Sequence, residues 1–213
     1  NFQFANLPFE RGEILFSKVC AILNVMLRYQ IKRVRNSNQD CPFSKINRNT
    51  NLKGVKNMRR KDREITDIDK IETIIASARY MHLGMFDGEF PYIVPLHYGY
   101  QMEKGKLTFY VHCAKKGHKL ECLKENRNVF VEIDRGESLI TADIPCKYGA
   151  EYESVMCRGK AIIIEDIKEK CKALGVLMKV QTSEEHEFDD KMASAVNVVK
   201  IDVESYTAKA CIR

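Results

Sequence analysis

The sequence predicts a mainly β, α+β domain: an antiparallel barrel of six strands with helices packed against it. Six segments combine β-branched and aromatic residues, and the turns that join several of them are short. The predicted helices interrupt the strands instead of alternating with them, which argues against a doubly wound parallel sheet. Neither G-x-G-x-x-G nor G-x-x-x-x-G-K-[ST] occurs in the sequence, so a Rossmann or P-loop nucleotide site is unsupported.

Three helices are predicted. Thr66 and Asp67 are N-cap residue types, and isoleucines at helical spacing follow as far as Ala78. A short helix is expected over 117–126, with leucines on one face. The third helix is expected over 166–180, beginning with an aspartate cap.

The six strands are predicted over 80–86, 89–102, 107–113, 129–133, 152–165 and 197–208. Asp87-Gly88 is a strong signal for a hairpin turn after the first strand. Pro95 removes a backbone donor from the second strand, which favours a position at a sheet edge. Gly159 indicates a bulge or a close backbone approach in the fifth strand.

The positive charge is confined to one end of the chain. The net charge of the 213 residues is +6, but residues 1–57 hold 10 Lys and Arg against 3 Asp and Glu. Residues 58–213 hold the remaining 25 Lys and Arg against 26 Asp and Glu, so the predicted globular part is close to neutral. A nucleic-acid partner is therefore not expected, because a general nucleic-acid surface needs clustered cations on the folded domain.

The eight cysteines form no C-x-x-C pair, and the spacings predict neither a zinc site nor a disulfide framework. Free thiols in a reducing cytoplasm are the favoured interpretation. The apolar run from Ile14 to Leu27 is interrupted by Lys18 and is shorter than the ~20 residues that span a bilayer. A secretory signal is not expected, because Glu10 and Glu13 lie where a signal has its basic region. A cytoplasmic protein without a membrane segment is expected.

Residues 1–57 differ in character from the rest, with polar, Asn-rich stretches that show no periodicity. Our hypothesis is that they are translated upstream sequence and that Met58 is the natural start, which would leave one domain over 58–213. The codons for Lys53-Gly54-Val55 can include a purine-rich stretch like a bacterial ribosome-binding site. The alternative is a genuine basic, disordered extension that binds a partner.

A cluster of cations surrounds a glycine where a strand gives way to a helix. Lys116, His118 and Lys119 flank Gly117 at the predicted helix start. A helix N-terminus carries partial positive charge and free N–H groups, so with added cations it suits a phosphate. With the proline-interrupted segment 91–96 before it, the cluster suits a flat ring bearing a phosphate, such as flavin mononucleotide (FMN). An exposed basic turn is the alternative interpretation.

Four motifs follow one another along the chain: Met58-Arg59-Arg60 with Glu64-Ile65, Pro91-Tyr92-Ile93-Val94-Pro95-Leu96, His112-Cys113-Ala114 through Gly117-His118-Lys119, and Tyr152-Glu153-Ser154-Val155 with Gly159. Together they resemble the pyridoxamine 5′-phosphate oxidase-like FMN-binding split-barrel family. Within that family they are most similar to the nitroimidazole-resistance (5-nitroimidazole reductase-like) proteins. The resemblance covers nearly all of 58–213 and none of 1–57. The resemblance implies a six-stranded antiparallel split barrel.

By matching the family pattern, Val94, Pro95 and Leu96 are expected to present backbone groups to the polar edge of the flavin ring. His112 and Ala114 are assigned to the same cofactor site. A strand histidine is also commonly a satisfied structural residue, and the segment 94–96 alone could be an ordinary edge strand.

Tyr152 and Ser154 share one strand face and are expected to line a substrate cavity; solvent-facing polar side chains are the alternative. The resemblance further implies a homodimer with two FMN molecules at the interface, and electron transfer from NAD(P)H to a small acceptor such as a nitroaromatic, a quinone or a flavin. The cofactor carries the redox chemistry, so no catalytic residue is predicted.

Two other functions remain open. One is a haem-binding or haem-degrading protein on the same barrel, for which the available axial ligands are His82, His97, His112, His118 and His186. The other is a flavin-binding redox protein without turnover. Folds of this kind host several chemistries.

Overall fold

The computed structural model describes residues 58–136 and 138–212. The expectations for residues 1–57 lie outside these ranges. The described strands are β1 (Glu64–Ile65), β2 (Met81–Phe86), β3 (Pro91–Leu96), β4 (Gly99–Glu103), β5 (Lys106–Cys113), β6 (Asn128–Arg135), β7 (Leu139–Ile140), β8 (Gly149–Ala150), β9 (Tyr152–Ile164) and β10 (Asn197–Cys211). The α-helices are α1 (Ile68–Ser77), α2 (His118–Glu125), α3 (Ile167–Thr182) and α4 (Asp190–Ser194).

Antiparallel pairing joins seven strands in the order β3-β2-β6-β9-β10-β5-β4, and β1 pairs with one end of β10. β7 and β8 form a separate small hairpin. The predicted class, a mainly β antiparallel fold with packed helices, is confirmed. The main sheet has eight strands where the sequence predicts six, because β1 is too short to be recognised and the predicted strand over 89–102 is two strands.

The break between β3 and β4 has a tertiary cause. Tyr98 is fully buried, and its hydroxyl donates a 2.6 Å hydrogen bond to the Ile75 carbonyl of α1. Gly99 lies so close to α3 that a Cβ there would be 2.5 Å from the Cα of Leu177. The chain therefore bends at 97–98 to insert one side chain into the core and to pass beneath a helix.

One hydrophobic core collects the inward faces of the strands together with α1 and α2. Leu83, Phe109, Val131 and Ile201 are among its members and are at most 1% exposed. Since the strands of the long sheet contribute to a single cluster, the sheet curls around it. A second, smaller cluster lies on the other side of β5 and β10, where α3 and α4 pack. Val199 points into the main core, as the alternation predicts, and its neighbour Val198 points to the opposite face of β10. Both are buried because the second cluster covers that opposite face.

The two long helices begin where their caps predict. The Asp67 carboxylate accepts a hydrogen bond from the backbone N–H of Asp69 at 3.0 Å, and the Asp166 carboxylate accepts one from Glu169 at 2.8 Å. α4 is also capped by an aspartate, but the sequence analysis assigned no element there. In the described ranges no helix is long and apolar enough to cross a bilayer.

Gly159 confirms the expected close approach. A Cβ at this position would be 2.5 Å from the Asp202 carbonyl oxygen of β10. The ladder between β9 and β10 shifts register at the same level, between Val203 and Ser205. The irregularity lies in β10, and the glycine in β9 makes room for it.

Candidate functional site

A cavity of about 200 Å³ lies at the N-terminus of α2. It brings together the whole cationic cluster around Gly117 that the sequence singled out. Its lining residues are Tyr92, Cys113, Ala114, Lys116, Gly117, His118, Lys119 and Leu120. Tyr92 of β3 therefore meets residues from the end of β5 and the start of α2, which lie more than 20 residues further along the chain.

Gly117 is the N-cap residue of α2 and has a φ of +143°, a conformation that other residues rarely adopt. Having no side chain, it gives the helix no side-chain cap. The start of α2 borders the cavity, and the first backbone N–H groups of this helix have no side-chain oxygen that accepts from them. An anion in the cavity would take the place of that missing cap.

Lys116 is exposed and Lys119 is half-buried at the same helix end. Neither ammonium group forms an ion pair with a carboxylate of the described residues. Their charges add to the partial positive charge of the helix N-terminus. The arrangement favours a ligand with one or two negative charges.

His118 has carboxylate neighbours, in contrast to the two lysines. Its ring nitrogens lie 3.8 Å from an Asp87 carboxylate oxygen and 3.5 Å from a Glu121 oxygen. The ring also packs against Tyr92 with 4.9 Å between centroids. Hydrogen bonds from the backbone of Phe90 and then of residue 89 lower the pKa of Asp87, with a smaller contribution from His118. His118 thus links α2 to the β2–β3 turn.

Asn197 holds the loop that precedes Gly117, and the sequence analysis missed it. Its side-chain amide donates to the carbonyls of Ala114 (3.4 Å) and Lys115 (3.2 Å). Asn197 is the first residue of β10 and pairs with Cys113 in the β5 ladder. No local signal could reveal this role, because 82 and 83 residues separate donor and acceptors.

β3 is an edge strand, as Pro95 predicted, and pairs only with β2 among the described strands. The side chains of Val94 and Leu96 are half-buried against the core, whereas Ile93 is 60% exposed. Val94 and Leu96 could therefore meet a ligand only through their backbone. Pro95 is exposed on the outer face of the sheet.

His112 lies on β5, where part of the residue reaches solvent and protein atoms surround the rest, and it is not among the residues that line the cavity. Desolvation by the surrounding protein lowers its pKa, and the positive neighbours His97 and Lys119 lower it further. The imidazole is consequently neutral over a wider pH range than an ordinary histidine. The interaction with Lys119 places it beside the cationic cluster.

Tyr152 and Ser154 share a face of β9 but have different surroundings. Ser154 lines a second cavity of about 200 Å³ together with Met58, Met156, Thr207 and Lys209. Tyr152 is not part of that lining; its hydroxyl accepts a 3.1 Å hydrogen bond from Arg63. Only Ser154 of the two predicted substrate residues reaches a cavity.

The fold is an antiparallel split barrel with packed helices, and comparison with known proteins gives the family. The family model described as pyridoxamine 5′-phosphate oxidase matches residues 67–210. The chain belongs to this family. A search of the curated proteins found no match.

Among solved structures, the chain is similar to a candidate 5-nitroimidazole antibiotic resistance protein from Bacteroides thetaiotaomicron. The two share 36% sequence identity with a TM-score of 0.61, over 69% of this chain and 86% of that one. A flavocytochrome from Azotobacter vinelandii matches at 18% identity and a TM-score of 0.61, over 73% and 72% of the two chains. A FAD- and haem-binding protein from Mycobacterium smegmatis matches at 15% identity and a TM-score of 0.61, over 71% of this chain and 74% of that one. The similarity to these last two proteins shows that they have the same fold as this chain.

Proposed function

We propose that the protein is an FMN-dependent oxidoreductase that passes electrons from NAD(P)H to a small acceptor such as a nitroaromatic, a quinone or a flavin. The observation that carries the proposal is the helix start without a side-chain cap at Gly117, with Lys116 and Lys119 beside it. The family and the similarity to the Bacteroides protein support the same conclusion.

The groups at this cavity fit the phosphate of FMN. A phosphate monoester carries close to two negative charges near neutral pH. Two ammonium groups and the N-terminal N–H groups of α2 can neutralise and hydrogen-bond it. Gly117 leaves the approach open, because a Cβ there would have no neighbour within 4 Å. Asn197 keeps the preceding loop in place.

The cavity of one chain can hold only part of the cofactor. Its volume of about 200 Å³ is below the ~300–1,000 Å³ of typical small-molecule sites. We place the flavin ring along the open edge of β3, where Pro95 and its neighbours offer backbone groups. A second copy of the chain would cover the other side of the ring.

An exposed apolar patch supports the homodimer. Phe86, Phe90 and Ile93 on the β2–β3 hairpin are 56%, 62% and 60% exposed, and Phe130 on β6 is 41% exposed. Gly84 lies between Ile93 and Phe130 in the ladder, so the two side chains share one surface. Contiguous exposed apolar side chains of this kind are typical of protein interfaces.

When bound, FMN supplies the hydride and electron chemistry. The residues of this chain would bind the phosphate, orient the ring and limit access of water. His112 is close to Lys119, and its lowered pKa favours the neutral imidazole. The neutral imidazole can offer one hydrogen-bond donor and one hydrogen-bond acceptor to the flavin ring or to the substrate that receives the electrons. The cavity that Ser154 lines is the proposed acceptor site. We place the protein in the cytoplasm, in agreement with the six unpaired thiols of the described part.

Haem binding is the competing proposal, and the histidine contacts do not favour it. His82 is paired with Glu132, His97 with Gln181, and His186 with Glu184. His118 contacts two carboxylates. To become an axial haem ligand, each of these four histidines would have to give up its partner. This argument does not apply to His112, the fifth candidate.

The absorption spectrum of the purified protein tests the proposal. We expect the two-band spectrum of an oxidised flavin; a single intense Soret band would indicate haem. Anaerobic NADH or NADPH should then bleach the flavin, and a nitroaromatic or quinone should restore it. A bound flavin that neither reagent bleaches would mean that the protein binds flavin without turnover.

A further inference from the structure

The outer face of β2 and β6 carries a group of metal-ligating side chains apart from the cavity at α2. His82 Nδ1 lies 3.1 Å from a Glu132 carboxylate oxygen. One ligand atom from each of His82, Glu132 and Asp134 lies within 4.8 Å of the other two. Within 58–136 and 138–212, this is the one set of three such residues that meets this criterion.

The strands hold these three residues in fixed positions. His82 and Glu132 are directly opposite each other in the β2–β6 ladder, and Asp134 is two residues further along β6. Their neighbours Leu83 and Ile133 are fully buried in the core. Because side chains alternate along a strand, the three ligands must share the outer face. Sites built on strands are more precisely placed than sites on loops.

A buried hydroxyl without a partner lies beside the group. Ser154 is directly opposite Asp134 in the β6–β9 ladder and is 5% exposed. Its Oγ has no hydrogen-bond partner among the described residues. Leaving such a group unsatisfied costs free energy, so a ligand or water is expected next to it.

The charges around the group leave it with an excess of carboxylate. Lys209 is opposite Ser154 on one side, and Glu64 of β1 is opposite Lys209 on the other. Within the ligand group itself, the carboxylates of Glu132 and Asp134 lie together with one imidazole, and a cation bound between them would relieve the repulsion of the two carboxylates.

From this arrangement we infer that His82, Glu132 and Asp134 bind a divalent metal ion, with a fourth position open toward Ser154. Two ligands of a tetrahedral zinc ion at bonds near 2.05 Å are about 3.3 Å apart. The separation of His82 Nδ1 and a Glu132 carboxylate oxygen is close to that value, and an Asp134 carboxylate oxygen lies within 4.8 Å of a ligand atom of each of these residues. One imidazole and two carboxylates suit Zn²⁺, Mn²⁺ or Fe²⁺. The inference does not rest on the proposed function.

Untagged protein, treated with a chelator and dialysed, tests the site by titration with Zn²⁺ and separately with Co²⁺. We expect one equivalent per chain. His82→Ala and Asp134→Asn should each weaken binding at least tenfold, while His186→Ala should not. His186 is the matched control because it is also paired with a glutamate, Glu184 at 3.7 Å. Far-UV circular dichroism and thermal unfolding verify that each variant folds.

Cobalt absorption identifies the ligands, because thiolate ligation gives an intense charge-transfer band that nitrogen and oxygen ligation does not. The inference requires this band to be absent. It is overturned if the wild-type protein binds neither ion, if His82→Ala binds as tightly as the wild type, or if the cobalt spectrum shows thiolate ligands.

Discussion

Replacing both lysines at the start of α2 should weaken FMN binding on the order of 100-fold. Lys116 and Lys119 would each form a charge-assisted hydrogen bond with the phosphate, worth about 1.5–3 kcal/mol. Lys116 is exposed and Lys119 half-buried, so solvent competes and the lower value applies to both. The sum of about 3 kcal/mol corresponds to roughly two factors of ten in Kd. Quenching of flavin fluorescence on binding measures the affinity.

The control for this experiment is Lys106→Ala with Lys124→Ala, which removes the same net charge. Lys106 begins β5, and Lys124 lies in the last turn of α2, away from the cavity. The double control variant should bind FMN as the wild type does. If the Lys116→Ala, Lys119→Ala protein binds within threefold of the control, the phosphate is not held at this helix end.

The fold makes three further predictions. Gly99→Ala should destabilise the protein by about 1–3 kcal/mol or more, because the new Cβ would be 2.5 Å from the Leu177 Cα. Tyr98→Phe should cost about 1–2 kcal/mol, because the Ile75 carbonyl loses its buried hydroxyl donor; urea denaturation measures both. Burial raises the pKa of Tyr100 to about 12 from its usual 10, so the unfolded state ionises first and stability should fall as the pH rises through that window.

Each of these predictions has a matched control. Gly149→Ala should be nearly neutral, since the nearest atom to its Cβ is at 3.6 Å. Tyr110→Phe should cost little, because its hydroxyl bonds to Gln101 at the surface. Tyr100→Phe should lose part of the alkaline sensitivity. An unchanged pH dependence in that variant would contradict the assignment to Tyr100, and stability losses in the first two controls equal to the test variants would contradict the packing arguments.

Local signals in the sequence were sufficient for the helix starts and for the first hairpin. Asp67 and Asp166 cap their helices through short-range hydrogen bonds that depend on neighbouring residues only. The Asp87-Gly88 turn is formed in the same way, with the Asp87 carboxylate accepting from the backbone of Phe90. Such interactions are contained within a few residues, so the sequence predicts them.

The division of 89–102 into two strands could not be predicted in this way. It depends on Tyr98 reaching α1 and on Gly99 passing beneath α3, contacts that only the tertiary structure defines. Residues 64–65 look like the end of a polar segment, and they become a strand only because β10 is long enough to pair with them.

The candidate site shows the same division. The cations around Gly117 are adjacent in sequence and could be recognised together. Asn197 and the second cavity could not, because distant strands bring them into place. Period-two alternation put Tyr152 and Ser154 on one face, but it could not show that only Ser154 lines a cavity.

The affinity of the unmodified protein for FMN compared with riboflavin tests the central claim most directly. The two molecules differ only in the phosphate, which the account assigns to the start of α2. We predict that riboflavin binds at least about 100-fold more weakly, because it loses the free energy of about 3 kcal/mol that the two lysines supply and also the hydrogen bonds from the start of α2. Equal affinity for the two molecules, or no binding of either, would contradict the account.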